Sequence, residues 1–320
     1  MIWQNYEKNG LLERMQIIPG EMQEIIQGAW IEIAIPTPTE VEWMVDNLNL
    51  PPEFIKSVLD EEESSHVDTA DDAKLIVIDV PMLDPVKNSK NSYTTMPFSI
   101  IHMPNNLITV STQNTDLVKD LFAKNKKIEP HKRVRLTLLL LYRLAMTYIS
   151  FLKKIDGQTR DVEKELQHSM RNKEIFELME LNKSLVYFST ALNANKGVVQ
   201  RLIRSEEFKK FEDDLNLLDD TVIELNQAIE MCSVYRDILA GTMDAFASII
   251  SNNLNIVMKV LAIITIVLSL PTLVASIYGM NFASMPLVDH PWGFYLTLGF
   301  SFVISIISAF ILYYYTKKVK

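Results

Sequence analysis

Cysteine is almost absent from this 320-residue chain. Cys232 is the one thiol, which excludes an intramolecular disulfide and a cysteine-cluster zinc site. It falls among helical residues and reads as a small core residue rather than a reactive group. Histidine is scarce too: the five imidazoles are scattered, and no nucleophile, histidine and acid gather along the sequence, so nothing points to an enzyme. There is no P-loop, no organic cofactor is expected, and no step needs ATP. A secretory leader is also missing, since MIWQNYEKNG has neither a basic nor an apolar region, and the N-terminus is expected to stay in the cytosol. Positive charge is short as well. A formal net charge of -9 argues against nucleic acid as a partner and suits the accumulation of cations.

Apolar residues are plentiful but unevenly placed. They make up 48% of the chain, yet the middle is rich in Glu, Asp, Lys and Asn while the C-terminal part is mostly apolar. Residues 260–277 are 18 without a charge and residues 292–315 are 24, each long enough to cross roughly 30 Å of hydrocarbon. Between them FASMPLVDHP carries no Lys or Arg, whereas Lys259 precedes the first run and Lys317, Lys318 and Lys320 follow the second. The positive-inside rule then puts both ends in the cytosol and the short loop outside, with Tyr313, Tyr314 and Tyr315 as an aromatic belt. The lipid partner is the cell membrane.

The aqueous part reads as α+β. Residues 29–35, 74–80, 98–103 and 107–111 are β-branched runs bounded by Pro, Asn and Asp, and Pro104-Asn105-Asn106 predicts a hairpin between the last two. Thr39 is the expected N-cap of a helix through EVEWMVDNL. The acidic run Asp60-Glu61-Glu62-Glu63 reads as a solvated helix end. Residues 135–152 resemble a membrane span, but Arg143 in the middle would cost roughly 2.5 kcal/mol or more there, so a buried amphipathic helix is expected. A second helix is expected over 173–204, with Asn193, Asn195 and Gly197 as weak points. A third runs unbroken over 213–279, and its 67 residues reach on the order of 100 Å, so its lower half forms a stalk outside the membrane. The boundaries are an α/β domain at 1–125, a helical stalk at 126–256, a first span at 257–281, an outer loop at 282–291, a second span at 292–315 and a basic tail at 316–320.

One line of residues runs along that third helix. At spacings of four and three it reads Asp244, Ser248, Ser251, Asn255, Met258, Ala262, Thr265, Ser269, Thr272 and Ser276. This is the 3.5-residue repeat of a helix packed against parallel copies of itself. Hydroxyls in a membrane helix also occur as packing glue. A carboxylate and an amide at the inner end, however, fit a cation path better than a dry seam. A two-span hairpin cannot enclose a pore alone, so a homo-oligomer is expected.

The helix ends in Tyr278-Gly279-Met280-Asn281, followed by Phe282 and by Met285-Pro286. GMN at the outer end of a penultimate span, ten residues before the final one, resembles the signature of the CorA family of magnesium channels. The α/β start, helical middle, long stalk, terminal hairpin and lysine-rich tail resemble that family too. The resemblance implies a funnel-shaped homopentamer that passes Mg2+, with Co2+ or Ni2+ as further substrates. Gly279, Met280 and Asn281 would form the selectivity ring. Magnesium dehydrates reluctantly, and a ring of Asn281 carbonyls can accept hydrogen bonds from its waters, with Gly279 letting the backbone turn. Met280 is expected to pack the loop. Thr272 would form the family's polar ring, Met258 and Leu261 the apolar gate, and Asn255 and Asp244 the inner mouth. Leu261 lies one step off the stripe. Ser269 stands where other members carry a bulky Met, and Met285-Pro286-Leu287-Val288 departs from an acidic MPEL-type outer loop, with Asp289 further on as the substitute acid. Asp84 and Asp220 fall where members bind regulatory Mg2+ between subunits. His290 beside Pro291 is expected to be structural.

Two further readings stay open. A zinc transporter of the same fold is opposed by the scarcity of Cys and His on the stripe. A non-transporting coiled-coil scaffold or sensor explains the stalk and hairpin, but leaves the stripe and GMN without a role.

Overall fold

The β-branched runs pair as strands of one sheet, joined by amide-rich segments whose pattern conceals further strands. The structure is a computed structural model that describes residues 1–21, 24–85, 92–124, 128–168, 172–280, 286–287 and 290–318. It divides into two units, Met1–Met243 and Asp244–Lys320.

In the first unit the strands are β1 (Ile2–Lys8), β2 (Leu11–Ile17), β3 (Trp30–Ala34), β4 (His66–Ala70), β5 (Ala73–Leu83), β6 (Tyr93–His102) and β7 (Leu107–Ser111). They form a seven-stranded sheet in the order β2-β1-β3-β7-β6-β5-β4. Only the β3–β7 pair is parallel. The expected hairpin is present: the Met103 N–H donates to the Asn106 carbonyl at 2.9 Å, closing the turn between β6 and β7.

Helices α1 (Pro38–Leu48) and α2 (Pro52–Leu59) cover one face of the sheet. Met44, Leu48, Phe54 and Val58 pack there on Ile2, Ile31, Ile33, Leu75, Val77 and Val110. The cap of α1 is Thr37, not Thr39. Its hydroxyl accepts from the Glu40 N–H, and the Glu40 carboxylate accepts from the Thr37 N–H at 2.8 Å. That reciprocal box needs an acid three residues after the cap, and Pro38 suits the first helical position. Helix α2 ends at Leu59, so the acidic run at Asp60 begins where the helix stops.

Helices α3 (Leu117–Lys124), α4 (Arg133–His168) and α5 (Asn172–Ile203) follow. Three helices are long and apolar enough to cross a membrane, and α4 is one of them; 56% of its apolar window is buried inside the unit, against 0% and 11% for the other two. Leu136, Leu140, Leu144, Tyr148 and Leu152 are all buried, and Tyr148 stacks edge-on to Phe188 of α5 at 5.3 Å.

Asn195 is not a weak point of α5. Asp79 on β5 pairs with Pro97 on β6, which has no N–H to give. The Asp79 peptide groups therefore face the other edge, where β4 has already ended. There the Asn195 amide nitrogen donates to the Asp79 carbonyl at 2.8 Å, and its oxygen accepts from the Asp79 N–H at 2.9 Å. A buried side-chain amide stands in for the missing strand.

A 3-10 turn (Glu206–Lys209) leads into α6 (Glu212–Tyr278), a 67-residue helix one position earlier than the sequence suggests at each end. In the first unit α6 buries Asp214, Leu218, Thr221, Leu225, Ala228, Cys232 and Leu239. From Asp214 to Cys232 these lie four and three apart, Leu239 follows one heptad on, and together they make one packing face. Cys232 Sγ donates to the Leu185 carbonyl at 3.3 Å, and burial pushes its thiol up to about 11, so it is the inert core residue its surroundings suggested.

The second unit holds the rest of α6 and α7 (Gly293–Lys318). On α6, Ile256, Ile263, Val267, Leu270 and Val274 are partly covered. On α7 the buried positions Gly293, Ser301 and Ser305 are small and, with the partly covered Thr297, recur every fourth residue; Ile304, Ser308, Ala309 and Leu312 are partly covered as well. Val274, Ala275 and Tyr278 share a cleft with Gly293, Thr297 and Ser301. Small residues at that spacing let two membrane helices approach closely. A Cβ on Gly293 would meet the Leu287 carbonyl oxygen at 1.9 Å, so no other residue fits there.

Candidate functional site

Each turn of helix advances 100° per residue, so positions two apart face opposite ways. The stripe Met258, Thr265, Ser269, Thr272 and Ser276 lies two residues beyond the covered set 256, 263, 267, 270 and 274. Hairpin packing therefore leaves Met258, Thr265, Ser269 and Ser276 on the uncovered side of α6, while Thr272, beside the partly covered Pro271, also borders the cleft with α7. Asp244, Ser248, Ser251, Asn255, Met258, Ala262, Thr265, Ser269, Thr272 and Ser276 are all exposed within one chain. Leu261, the off-stripe residue, is 55% exposed and Met258 56%, so both are open on that side.

The hydroxyls on this face have a definite polarity. Thr265 Oγ1 donates to the Leu261 carbonyl at 2.9 Å, Ser269 Oγ to Ile266 at 2.8 Å, and Thr272 Oγ1 to Leu268 at 3.2 Å. Each hydroxyl proton is used within the helix, leaving oxygen lone pairs as what the side chain offers outward. Pro271 lies inside the helix beside them and has no N–H for the preceding turn.

At its C-terminal end α6 stops at Tyr278. The Gly279 N–H still donates to the Ala275 carbonyl at 3.0 Å, and the Met280 N–H to Ile277 at 3.2 Å. Gly279 thus continues the helical bonding instead of turning the chain in a left-handed conformation; a Cβ there would come within 3.4 Å of the Ala275 oxygen. Asn281, Phe282, Met285, Val288 and Asp289 lie outside the described residues. Tyr278 donates its hydroxyl to the Pro286 carbonyl at 3.2 Å. His290 belongs to the turn before α7: its Nδ1 accepts from the Trp292 N–H at 3.3 Å and its carbonyl from the Gly293 N–H at 2.9 Å.

In the first unit the exposed side of α6 carries Asp220, Ile223, Gln227, Glu230, Val234, Asp237 and Gly241. These are again four and three apart, and the count continues from Gly241 to Asp244. The sequence carries the same spacing on both sides of Asp244. Asp84 sits just past β5, half-buried. Its N–H donates to the Ser92 carbonyl at 3.0 Å, and its carboxylate lies 3.4 Å from Ser92 Oγ. Ser92 Oγ is also 3.5 Å from Glu180 Oε2 on α5. Lys183, one turn further on, has its pKa raised by the Tyr187 hydroxyl foremost, with Glu180 and Asp84 adding to it. Glu180 was not legible beforehand, because it meets Asp84 only through the fold. Asp84 and Asp220 stand on separate elements.

Comparison with known proteins places this geometry. A family model described as "CorA-like Mg2+ transporter protein" matches residues 27–318. A "Cobalt/magnesium transport protein CorA" of Methanocaldococcus jannaschii is 26% identical over 291 residues, covering 88% of this chain and 89% of that protein. One of the same name from Thermotoga maritima is 30% identical over 211 residues, 63% and 57% of the two chains. Among solved structures, the complete CorA magnesium transporter of Methanocaldococcus jannaschii matches with a TM-score of 0.81 at 23% identity, over 97% of this chain and 96% of that one. The full-length CmaX protein matches with a TM-score of 0.70 at 18% identity, over the same shares. Both structural matches establish a common fold.

Proposed function

The chain belongs to the CorA-like Mg2+ transporter family, and on that premise we propose that it is a channel for Mg2+, with Co2+ and Ni2+ as further substrates. Residues 257–281 and 292–315 cross the cell membrane with both ends of the chain in the cytosol. Five copies assemble around the polar face of α6.

The observation that carries this reading is that face itself: Met258, Thr265, Ser269 and Ser276 are uncovered by the chain's own packing, and Thr265, Ser269 and Thr272 turn their protons inward. A hydrated divalent cation presents water hydrogens outward, so a wall of acceptor oxygens suits it and a wall of donors would not. At the entrance a ring of Asn281 carbonyls, with Gly279 and Met280 holding the loop, accepts from the same water shell. Below Thr272, Met258 and Leu261 form an apolar constriction that closes by dewetting. Asn255 and Asp244 line the inner mouth. The driving force is the membrane potential, about 4.6 kcal/mol per 100 mV for a divalent ion, twice the single-charge value.

Regulation falls to Asp84 and Asp220, one from each of two neighbouring copies, with Mg2+ between them holding the closed state. Loss of cytosolic Mg2+ leaves like charges facing each other and shifts the population toward the open state.

Dye-reported Mg2+ uptake into proteoliposomes under an imposed potential tests the reading. The parent chain should pass Mg2+ and Asn281→Ala should lose most of that flux. Equal flux in the variant, or none in the parent, would sink it. In the same assay Asp84→Ala combined with Asp220→Ala should blunt inhibition by internal Mg2+, and unchanged inhibition would remove this regulatory site.

A further inference from the structure

The α/β unit also gathers one imidazole and two carboxylates away from α6. Glu7, Glu129 and His131 each offer a ligand atom, and these atoms lie within 4.8 Å of one another. Glu7 stands near the C-terminal end of β1, opposite Leu12 of β2. Glu129 and His131 are two residues apart in the turn before α4, which is closed by the Lys132 N–H donating to the Glu129 carbonyl at 3.0 Å. Behind the turn lies Gly28, at φ +79, where a Cβ would stand 3.5 Å from His131 Cβ. The Gly28 N–H is itself tied to the Asn105 carbonyl at 2.9 Å. A strand end and a braced turn therefore present the three ligands, with little ordering left for a bound ion to impose.

The spacing fits a coordination shell. Transition cations bind imidazole nitrogen and carboxylate oxygen at about 2.0–2.2 Å, so two such ligands side by side are roughly 3.0–3.4 Å apart at octahedral or tetrahedral angles. His131 Nδ1 lies 3.2 Å from Glu7 Oε2. Imidazole suits Co2+, Ni2+ and Zn2+, whereas Mg2+ prefers an all-oxygen shell.

We propose that Glu7, Glu129 and His131 bind a borderline divalent cation, Co2+, Ni2+ or Zn2+, in preference to Mg2+, with water completing the shell. The site does not rest on the ion path along α6. Two features set its affinity. Lys132 Nζ pairs with Glu129 Oε2 at 2.9 Å, so an incoming cation competes with an ammonium for that carboxylate. His131 Nδ1 likewise faces Glu7 Oε2 at 3.2 Å, a contact that the cation must replace.

Full-length protein in detergent, stripped with a chelator and titrated with Co2+ in excess Mg2+, tests this through the visible absorption of Co2+ in nitrogen and oxygen ligation. The parent should show saturable binding. His131→Ala and Glu7→Gln should each weaken it by more than about a hundredfold, beyond the roughly 10–100-fold that the loss of an outer-shell partner costs. Lys132→Met should tighten it, an effect that a purely structural ion pair would not produce. Undiminished Co2+ binding in both ligand variants, or no Co2+ held against Mg2+ in the parent, overturns the proposal. Metal-free melting temperatures identify a variant that fails to fold; should His131→Ala do so, Glu7→Gln at the strand end decides.

Discussion

His102 is 4% exposed, at the end of β6. Its Nε2 lies 2.8 Å from Thr137 Oγ1 and its Nδ1 3.5 Å from Glu207 Oε1, while Lys74 Nζ reaches the other Glu207 oxygen at 2.5 Å. Burial foremost holds the imidazole below its ordinary 6.5, with Arg133 and Lys74 adding to it and Glu207 opposing. The neighbouring His102, then Lys74, takes the Glu207 carboxyl from 4.5 down to about 2. The signs follow from linkage. Below 6.5 the unfolded chain takes up a proton that the buried imidazole resists, so stability falls with pH from there. Below 4.5 the unfolded Glu207 protonates while the folded one stays charged, and that contribution is lost as pH falls toward about 2. The melting temperature of the full chain should therefore decline in two stages, and His102→Gln should flatten the stage between 6.5 and 4.5. An identical decline in the variant would mean that another group sets it. Residues of this kind were hard to read from sequence. Asn195 passed for a weak helix former because its partner, Asp79, is 116 positions away. Thr37 and Thr39 each stand three residues before a glutamate, so the capping-box pattern fits both, and Pro38 at the first helical position is what marks Thr37.

Periodicity made the elements easier. The course of α6 was legible over its whole length, because no proline or glycine breaks the pattern strongly enough to end it before Tyr278. The strands β3, β5, β6 and β7 announced themselves by β-branched runs. β1 and β2 did not: Gln4 and Asn5 are fully buried amides in the middle of β1, and a pattern search reads amides as solvent-facing. On α7 the signal lay in residue size. Its buried positions, Gly293, Ser301 and Ser305, are small in an otherwise bulky helix. Ser301 is 5% exposed and bonds the Leu298 carbonyl at 2.9 Å. Ser301→Leu should overpack that face and cost about 1–3 kcal/mol. Phe302→Leu, at a position 62% exposed, should cost far less. Thermal unfolding of the two variants in detergent makes the comparison, and equal melting temperatures would show that the small face is not a packing face.

For the whole molecule, net charge, the apolar C-terminal part and GMN together identified the family before any coordinates. What they left open was which side of α6 its own hairpin covers. That is a property of packing in the second unit, and it turns a line of polar residues into an uncovered wall of acceptors. Cysteine labelling tests this most directly, because the chain's one thiol is 1% exposed and held up to about 11 by burial, so it stays silent. Single cysteines at Thr265, Ser269 and Thr272, and as controls at Val267 and Leu270, can be exposed to a water-soluble, impermeant thiol reagent in proteoliposomes carrying Mg2+ flux. The three stripe positions should label, and their labelling should block Mg2+ uptake, while the two controls should do neither. Labelling at Val267 and Leu270, with Thr265, Ser269 and Thr272 silent, would contradict a water-filled path along this face.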